Sequence, residues 1–324
     1  MRAVQCQEWG GPEKLAVVST TLRDPGPNEL KLRVRAAGVN FPDVLIIQQK
    51  YQLKPELPFT PGCEVAGDVM SVGAGVEGFR PGQRVMAYCG LGGFAEEAIV
   101  PAASCFAMPD ELSYEVGSAV LLAYGTSWHA LRDRAALRDG ETLLVLGASG
   151  GVGLSAVEIG VALGARVIAG ASSDRKLSVC RERGASALVN YQSENLREAL
   201  ARLTERHGPD VIYDPVGGAL AEPAFRSIAW RGRYLVVGFA SGSIPSIPLN
   251  LTLLKGASIV GVFWGEHMKR ERPRYREETE ELLQLIASGR LKPLVSRTYA
   301  LDQVPQALAD MAGAKVIGKI VIVP

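Results

Sequence analysis

Histidine and cysteine are scarce in this chain, with three of the first and five of the second among 324 residues. The cysteines, Cys6, Cys63, Cys89, Cys105 and Cys180, include no C-x-x-C pair, which excludes a zinc ribbon and a thioredoxin-type redox motif. Their odd number, behind an N-terminus with no apolar signal region, predicts reduced, mostly buried thiols and a cytoplasmic address. None of His129, His207 and His267 shares a local ligand spacing with a cysteine, so no metal is predicted. An excess of one charge is missing too: 35 Lys plus Arg face 34 Asp plus Glu, a net charge of +1. That leaves no broad cationic surface for nucleic acid or for an anionic membrane. The longest uncharged apolar stretch, Val116 to Leu131, carries Ser118, Tyr124, Thr126, Ser127 and His129 and falls short of a bilayer span.

What is present falls into two textures. From Met1 to about Pro109, short β-branched runs are cut by Pro25-Gly26, Pro61-Gly62 and Pro81-Gly82. Leu30 to Val34 alternates with period two, and Val65 to Val72, Arg84 to Tyr88 and Glu97 to Val100 are further strand candidates in a mostly antiparallel, β-rich domain. Beyond about Tyr114 the unit becomes strand, turn and helix. Leu143 to Leu146 reads as a parallel strand buried on both faces, followed by a helix over Gly150 to Leu163. Strands are predicted at Arg166–Ala169, Ala187–Val189, Val211–Tyr213, Tyr234–Val237 and Ser258–Phe263. Helices near Asp174–Arg183, Glu194–Glu205 and Leu220–Trp230 lie between them. Six strands so spaced make a doubly wound dinucleotide fold, so the class is α/β. The predicted division is a β-rich domain over 1–120, completed by 267–324, and a nucleotide domain over 121–266. The returning part would include a helix at Tyr275–Ser288 and a strand at Ile317–Val323.

The sharpest motif joins the first of those strands to its helix. In Gly147-Ala148-Ser149-Gly150-Gly151-Val152-Gly153, the dinucleotide register places small residues at Ala148, Gly150 and Gly153. They serve the tight turn, the approach of backbone to pyrophosphate, and close helix–strand packing. The helix N-terminus at Gly151 and Val152 supplies free N–H groups to the phosphates. Gly147 to Gly151 also spells the G-x-S-x-G nucleophile elbow, with Asp210 or Asp214 and His207 or His267 as downstream partners. The elbow demands neither Gly153 nor six strand–helix units.

An NAD site places a carboxylate about 20 residues past the glycines, at the second strand's tip. Here the strand runs out through Ala171, Ser172 and Ser173, with Lys176 beyond. Small hydroxyls and a cation suit the 2′-phosphate of NADPH. The competing reading makes Ser173 or Asp174 a helix cap and leaves Lys176 in solvent. No tyrosine is followed by a lysine four residues on, so the short-chain reductase pair is absent. Direct hydride transfer to an electrophilic acceptor is the economical chemistry.

Several segments together resemble the zinc-independent quinone oxidoreductase (zeta-crystallin-like) family of medium-chain dehydrogenase/reductases, over essentially the whole length. They are Ala37 to Asp43, Thr60 to Gly67, Ala123 to Ser127, Ala148 to Gly153 and Asn190-Tyr191. Ser227 to Gly265, with Gly238-Phe239-Ala240 and Phe263-Trp264-Gly265, is similar to the quinone oxidoreductase-like branch. The resemblance implies a GroES-like catalytic domain joined to a six-stranded Rossmann domain. Zinc-dependent relatives carry a cysteine at the position of Asn40 and a histidine at that of Cys63. It further implies that Lys176 and Tyr191 hold the 2′-phosphate and Thr126 the nicotinamide side. Gly238, Phe239, Phe263 and Gly265 would hold the nicotinamide half, and Asn40, Asp43 and Tyr51 the acceptor. The family's C-terminal arginine is Ala314 here, beside Lys315, and Gln83 replaces a turn aspartate in a structural role. Read from the residues alone, Asn40 and Asp43 could equally satisfy loop backbone groups, and Tyr51 could be a packing aromatic.

The implied activity is NADPH-dependent reduction of a quinone or enone. The alternatives are a 2-enoyl or alkenal double-bond reductase and a non-catalytic, crystallin-like or RNA-associated NADPH binder. The apolar run Ala257 to Trp264, as the sixth and edge strand, predicts a homodimer paired through that edge.

Overall fold

The alternation of Leu30, Leu32 and Val34 with Lys31, Arg33 and Arg35 becomes a strand with one face in the core: the three apolar residues are at most 4% exposed. In the computed structural model, which describes residues 1–324, that strand is the spine of the first of two units. The first unit comprises Met1–Leu122 and Pro293–Pro324, the second Ala123–Lys292.

In the first unit, β1 (Arg2–Cys6) pairs with β2 (Leu15–Ser19). The spine, β3 (Glu29–Gly38), pairs antiparallel with β4 (Glu64–Val72) and with β6 (Glu97–Pro101). β4 continues to β5 (Arg84–Tyr88) and then to β7 (Cys105–Ala107). The C-terminal strand Lys319–Val323 closes the other side antiparallel to β3, and Val295–Ala300 lies parallel outside it. The registers Gly38↔Glu64 and Gly38↔Val321 gather the ends of three strands around Asn40. The expected turn role of Gln83 is present, its Oε1 accepting from the Arg80 amide at 3.2 Å.

In the second unit, β8 (Thr142–Val145), β9 (Arg166–Ala171), β10 (Ala187–Asn190), β11 (Val211–Asp214), β12 (Arg233–Val236) and β13 (Ser258–Gly261) form one parallel sheet ordered β10-β9-β8-β11-β12-β13. This is the doubly wound order, and its topological switch lies between β8 and β11. Helices cover it, so Leu144, Ile168, Val189, Ile212, Phe225 and Tyr234 are almost wholly buried. No helix of the chain is long and apolar enough to cross a membrane.

Three expectations change. The helix expected at Tyr275–Ser288 runs from Arg272 to Ala287 and belongs to the second unit, so the return to the first occurs at Pro293 rather than 267. Contacts within that unit hold it. Tyr275 packs edge-on to Trp264, with ring centroids 5.8 Å apart, and Arg274 pairs with Asp133 at 2.6 Å. The first boundary falls after Leu122 instead of 120. The sixth strand stops at Gly261, because Phe263 turns the chain into a helix over Trp264–Arg270. β13 has only β12 beside it, and Ile259 is 39% exposed, so the Arg272–Ala287 helix does not cover this edge.

Candidate active site

Each unit carries its own candidate residues. In the second unit the glycine turn makes the close helix–strand approach expected at Gly153, but the left-handed turn residue is Gly147 rather than Ala148. Gly147 has φ +58°, which favours glycine, and a Cβ on Gly153 would lie 2.2 Å from the Gly147 carbonyl oxygen. Helix and strand can approach this closely only without that side chain. At Gly150 a Cβ would meet nothing nearer than 3.5 Å, so packing within the chain does not require glycine there. The open space it leaves suits an incoming phosphate. The helix Gly151–Ala162 starts with no side-chain cap, which leaves its first N–H groups for an anion.

The elbow reading fails on geometry. Ser149 is buried, His207 pairs with Asp210, and His267 pairs with Glu278, so neither histidine serves Ser149 as a base.

At the carboxyl end of β9, Lys176 Nζ donates to Ser172 Oγ at 3.1 Å, and Ser172 also hydrogen-bonds Tyr191. Partial burial lowers the Lys176 pKa and raises that of Tyr191. Ser173, as its capping alternative had it, accepts from the Lys176 amide and caps the helix Asp174–Glu182. Asp174 is turned aside to Asn190, at 2.9 Å. Hydroxyl, ammonium and phenol therefore converge with no carboxylate among them, a set suited to a phosphate dianion.

Thr126 lies half-buried on the helix Leu121–Trp128. Its neighbour Ser127 bonds the Val152 carbonyl, Ser155 and Tyr213, each at 2.8 Å, and so ties that helix to the glycine turn. Gly125 is needed because a Cβ would sit 2.8 Å from the Trp264 indole nitrogen. Gly238 and Phe239 follow β12, and Phe263 and Gly265 follow β13, at strand carboxyl ends. Phe239 and Phe263 are partly exposed. Asp214, which the sequence reading considered only as a hydrolase acid, shapes this rim: Oδ1 accepts from the Val216 and Gly217 amides and Oδ2 from the Tyr234 hydroxyl.

In the first unit, Asn40 and Asp43 begin the short helix Phe41–Ile46. Asp43 Oδ2 accepts from the Asn40 amide at 2.8 Å, so the backbone-satisfying role is realised. The Asn40 side chain does something else. Its Nδ2 donates to Glu64 Oε1 at 2.9 Å, to the Gly38 carbonyl at 3.2 Å and toward Cys63 Sγ at 3.4 Å. Its Oδ1 accepts from Lys319 Nζ, which also reaches Glu64 at 2.8 Å and the Val39 carbonyl at 3.0 Å. Lys319 was not foreseen; it is 3% exposed, and nothing local in Gly318-Lys319-Ile320 marks a lysine that turns inward.

This donor set does not fit zinc. Burial raises the Cys63 pKa well above its ordinary value, so the thiol stays protonated, and an ammonium already neutralises Glu64. Tyr51 is half-buried against the same core, and burial raises its pKa, which keeps the phenol protonated. Lys315 pairs with Asp310 at 3.6 Å on the surface.

Among known proteins, the zinc-binding dehydrogenase family matches residues 151–288 and the alcohol dehydrogenase GroES-like domain family residues 26–110. The quinone oxidoreductase-like protein 2 homolog of Nematostella vectensis is 40% identical, over 99% of this chain and 88% of that protein. A probable oxidoreductase from Mycobacterium abscessus superposes with a TM-score of 0.91 at 38% identity, covering 100% of this chain and 99% of the other. The quinone oxidoreductase of Escherichia coli, solved in complex with NADPH, superposes with a TM-score of 0.95 at 30% identity, covering 100% of both chains.

Asp43 gives this site a pH signature. Burial pushes its carboxyl up to about 7, against the Asn40 amide and Lys319. Between the unfolded value of about 3.9 and the folded one, the native state holds a proton that the unfolded chain has released. This group's contribution is therefore complete below the lower value and lost as pH rises through the upper. Asp43→Asn should gain stability relative to the parent on going from about pH 5 to about pH 8, read as urea midpoints. Identical pH dependence in both proteins would show that Asp43 is ionised throughout.

Proposed function

The chain belongs to the quinone oxidoreductase family of medium-chain dehydrogenase/reductases, and on that premise we propose that it uses NADPH to reduce a quinone or an activated carbon–carbon double bond without a catalytic metal. The observation that carries the metal-free reading is the Lys319 ammonium, 2.8 Å from Glu64, beside the two positions where the zinc-dependent relatives carry ligands. A fixed monocation there disfavours a dication a few ångströms away.

Bound NADPH supplies a hydride from its nicotinamide ring. Ala148 and the Gly150–Gly153 backbone receive the pyrophosphate, and Ser172, Lys176 and Tyr191 the 2′-phosphate, with Ser173 holding their helix in place. Thr126, Gly238, Phe239, Phe263 and Gly265 shape the nicotinamide half. Asn40 and Asp43 hold the acceptor side rigid through the bonds described above. Tyr51 or a water molecule donates the proton that balances the hydride and yields a hydroquinone or a saturated C–C bond. With the exhaustively chelated protein, 1,4-benzoquinone and a 2-alkenal assayed in parallel should each reveal whether NADPH is steadily oxidised. Turnover that disappears with the metal and returns with zinc would overturn the metal-free step.

Lys176→Ala should weaken NADPH binding by about 1.5–3 kcal/mol, roughly tenfold to a hundredfold, and leave NADH nearly unchanged. Titration calorimetry with both nucleotides reads this. Equal losses would place the side chain on a part that the two cofactors share.

The protein is further proposed to be a homodimer joined through β13. Its edge is open, and Trp230, Leu249, Leu253, Leu254 and Phe263, each more than half exposed, belong to the β12–β13 region. An edge of this kind is protected most simply by its own copy across a two-fold axis. Val260→Pro removes a strand donor and should shift light scattering toward monomer before cofactor binding is lost. A parent protein that is a stable monomer at micromolar concentration would contradict it.

A further inference from the structure

Two of the three histidines, 138 residues apart in sequence, stack in the second unit with ring centroids 4.1 Å apart and 12° between their planes. His129 is 5% and His267 4% exposed. His129 stands four residues before Asp133 on one helical segment, and His267 four before Glu271, which lies just past the end of its helix. On a helix that spacing puts both side chains on one face. One donor atom each from His129, Asp133 and His267 lies within 4.8 Å of the others.

The hydrogen bonds leave ligand lone pairs unused. His267 Nε2 meets Glu278 at 2.9 Å. Its Nδ1, 3.6 Å from Glu271, is buried without a hydrogen-bond partner. This is the carboxylate–histidine arrangement that orients metal-bound imidazoles. His129 Nδ1 is also buried without a hydrogen bond, although Asp133 Oδ2 is only 3.1 Å away at an unsuitable angle. Asp133 Oδ1 is occupied by Arg274 at 2.6 Å, so Oδ2 is the oxygen left to coordinate.

We infer that His129, Asp133 and His267 form a structural site for a borderline divalent cation such as zinc or cobalt(II), completed by Glu271 or water. The charges agree. Asp133, Glu271 and Glu278 outnumber Arg274 and the nearby Arg134, leaving the cluster net anionic toward a dication. Ligand bonds of about 2.0–2.2 Å require the donors to draw together and the stacked rings to tilt out of parallel. The metal would clamp the His129–Arg134 turn to the helix Trp264–Arg270, whose first residues are those proposed for the nicotinamide half. It takes no part in the hydride step.

The test titrates chelator-treated full-length protein with cobalt(II) alone, followed by absorption spectroscopy, and records melting with and without zinc. The expected result is one equivalent bound, visible ligand-field bands with no thiolate-to-cobalt charge-transfer band, and a higher melting temperature with zinc. Asp133→Asn and Glu278→Gln, both conservative, should bind cobalt about 10–100-fold more weakly, whereas His207→Ala should bind as the parent does. No binding by the parent, a thiolate band, loss in His207→Ala, or unchanged affinity in folded Asp133→Asn and Glu278→Gln would each overturn the site. Should a variant fail to fold, the parent's stoichiometry and the absence of a thiolate band still decide.

Discussion

Lys319 cannot reach water, and the groups that answer its charge come from separate stretches of chain. Val39 and Asn40 follow β3, and Glu64 begins β4. Glu64 in turn takes the Leu122 amide at 3.0 Å, just where the first unit hands over to the second. Withdrawing Glu64 would strand a buried charge, a loss of about 3–5 kcal/mol in comparable cases. Such a network adds little net stability over an apolar core, but it allows only one arrangement of the strand ends it joins. The same ammonium supports the metal-free reading proposed above, because a fixed cation disfavours a dication beside it.

The second unit rests on a different device. Close approach at Gly153 sets helix against strand, and the Ser127–Ser155–Tyr213 hydroxyls lock the neighbouring helix to that turn. Glu158, in the middle of an otherwise apolar helix, is another buried acid with every oxygen used: it takes Tyr124, Arg183 and the Lys292 amide. Lys292 is the last residue of the unit, so this carboxylate marks where the chain leaves it. Buried polar groups thus fix the points at which the chain passes between units, while apolar strands fill the interiors.

Much of this was legible in the chain itself. The period-two run at Leu30–Val34, the continuous apolar run at Leu143–Leu146 and the Ala148, Gly150 and Gly153 spacing are local patterns. Solvent and backbone sterics act on them within a few residues, so they determined the strands, the turn and the doubly wound order. The missing carboxylate beyond Ala171 is likewise a local feature, and Ser172, Lys176 and Tyr191 converge beside it. Local pattern misled at Phe263-Trp264, whose apolar character reads as strand. The place of Trp264 against Gly125 makes it the start of a helix instead.

What only the tertiary structure decided are the meetings of distant polar groups. Lys319 reaches Glu64 across 255 residues of sequence, and a spacing rule that looks for ligands close together passes over His129 and His267. Both lysine and histidine are ordinarily surface or isolated residues, and nothing in their neighbours shows that they will be buried. Their partners are chosen by strand register and helix packing, which arise from burying the apolar residues around them. The sequence by itself therefore determined the elements and the nucleotide turn. The partners of the buried charges were assigned by the fold, because a desolvated charge accepts whatever counter-charge packing brings within reach.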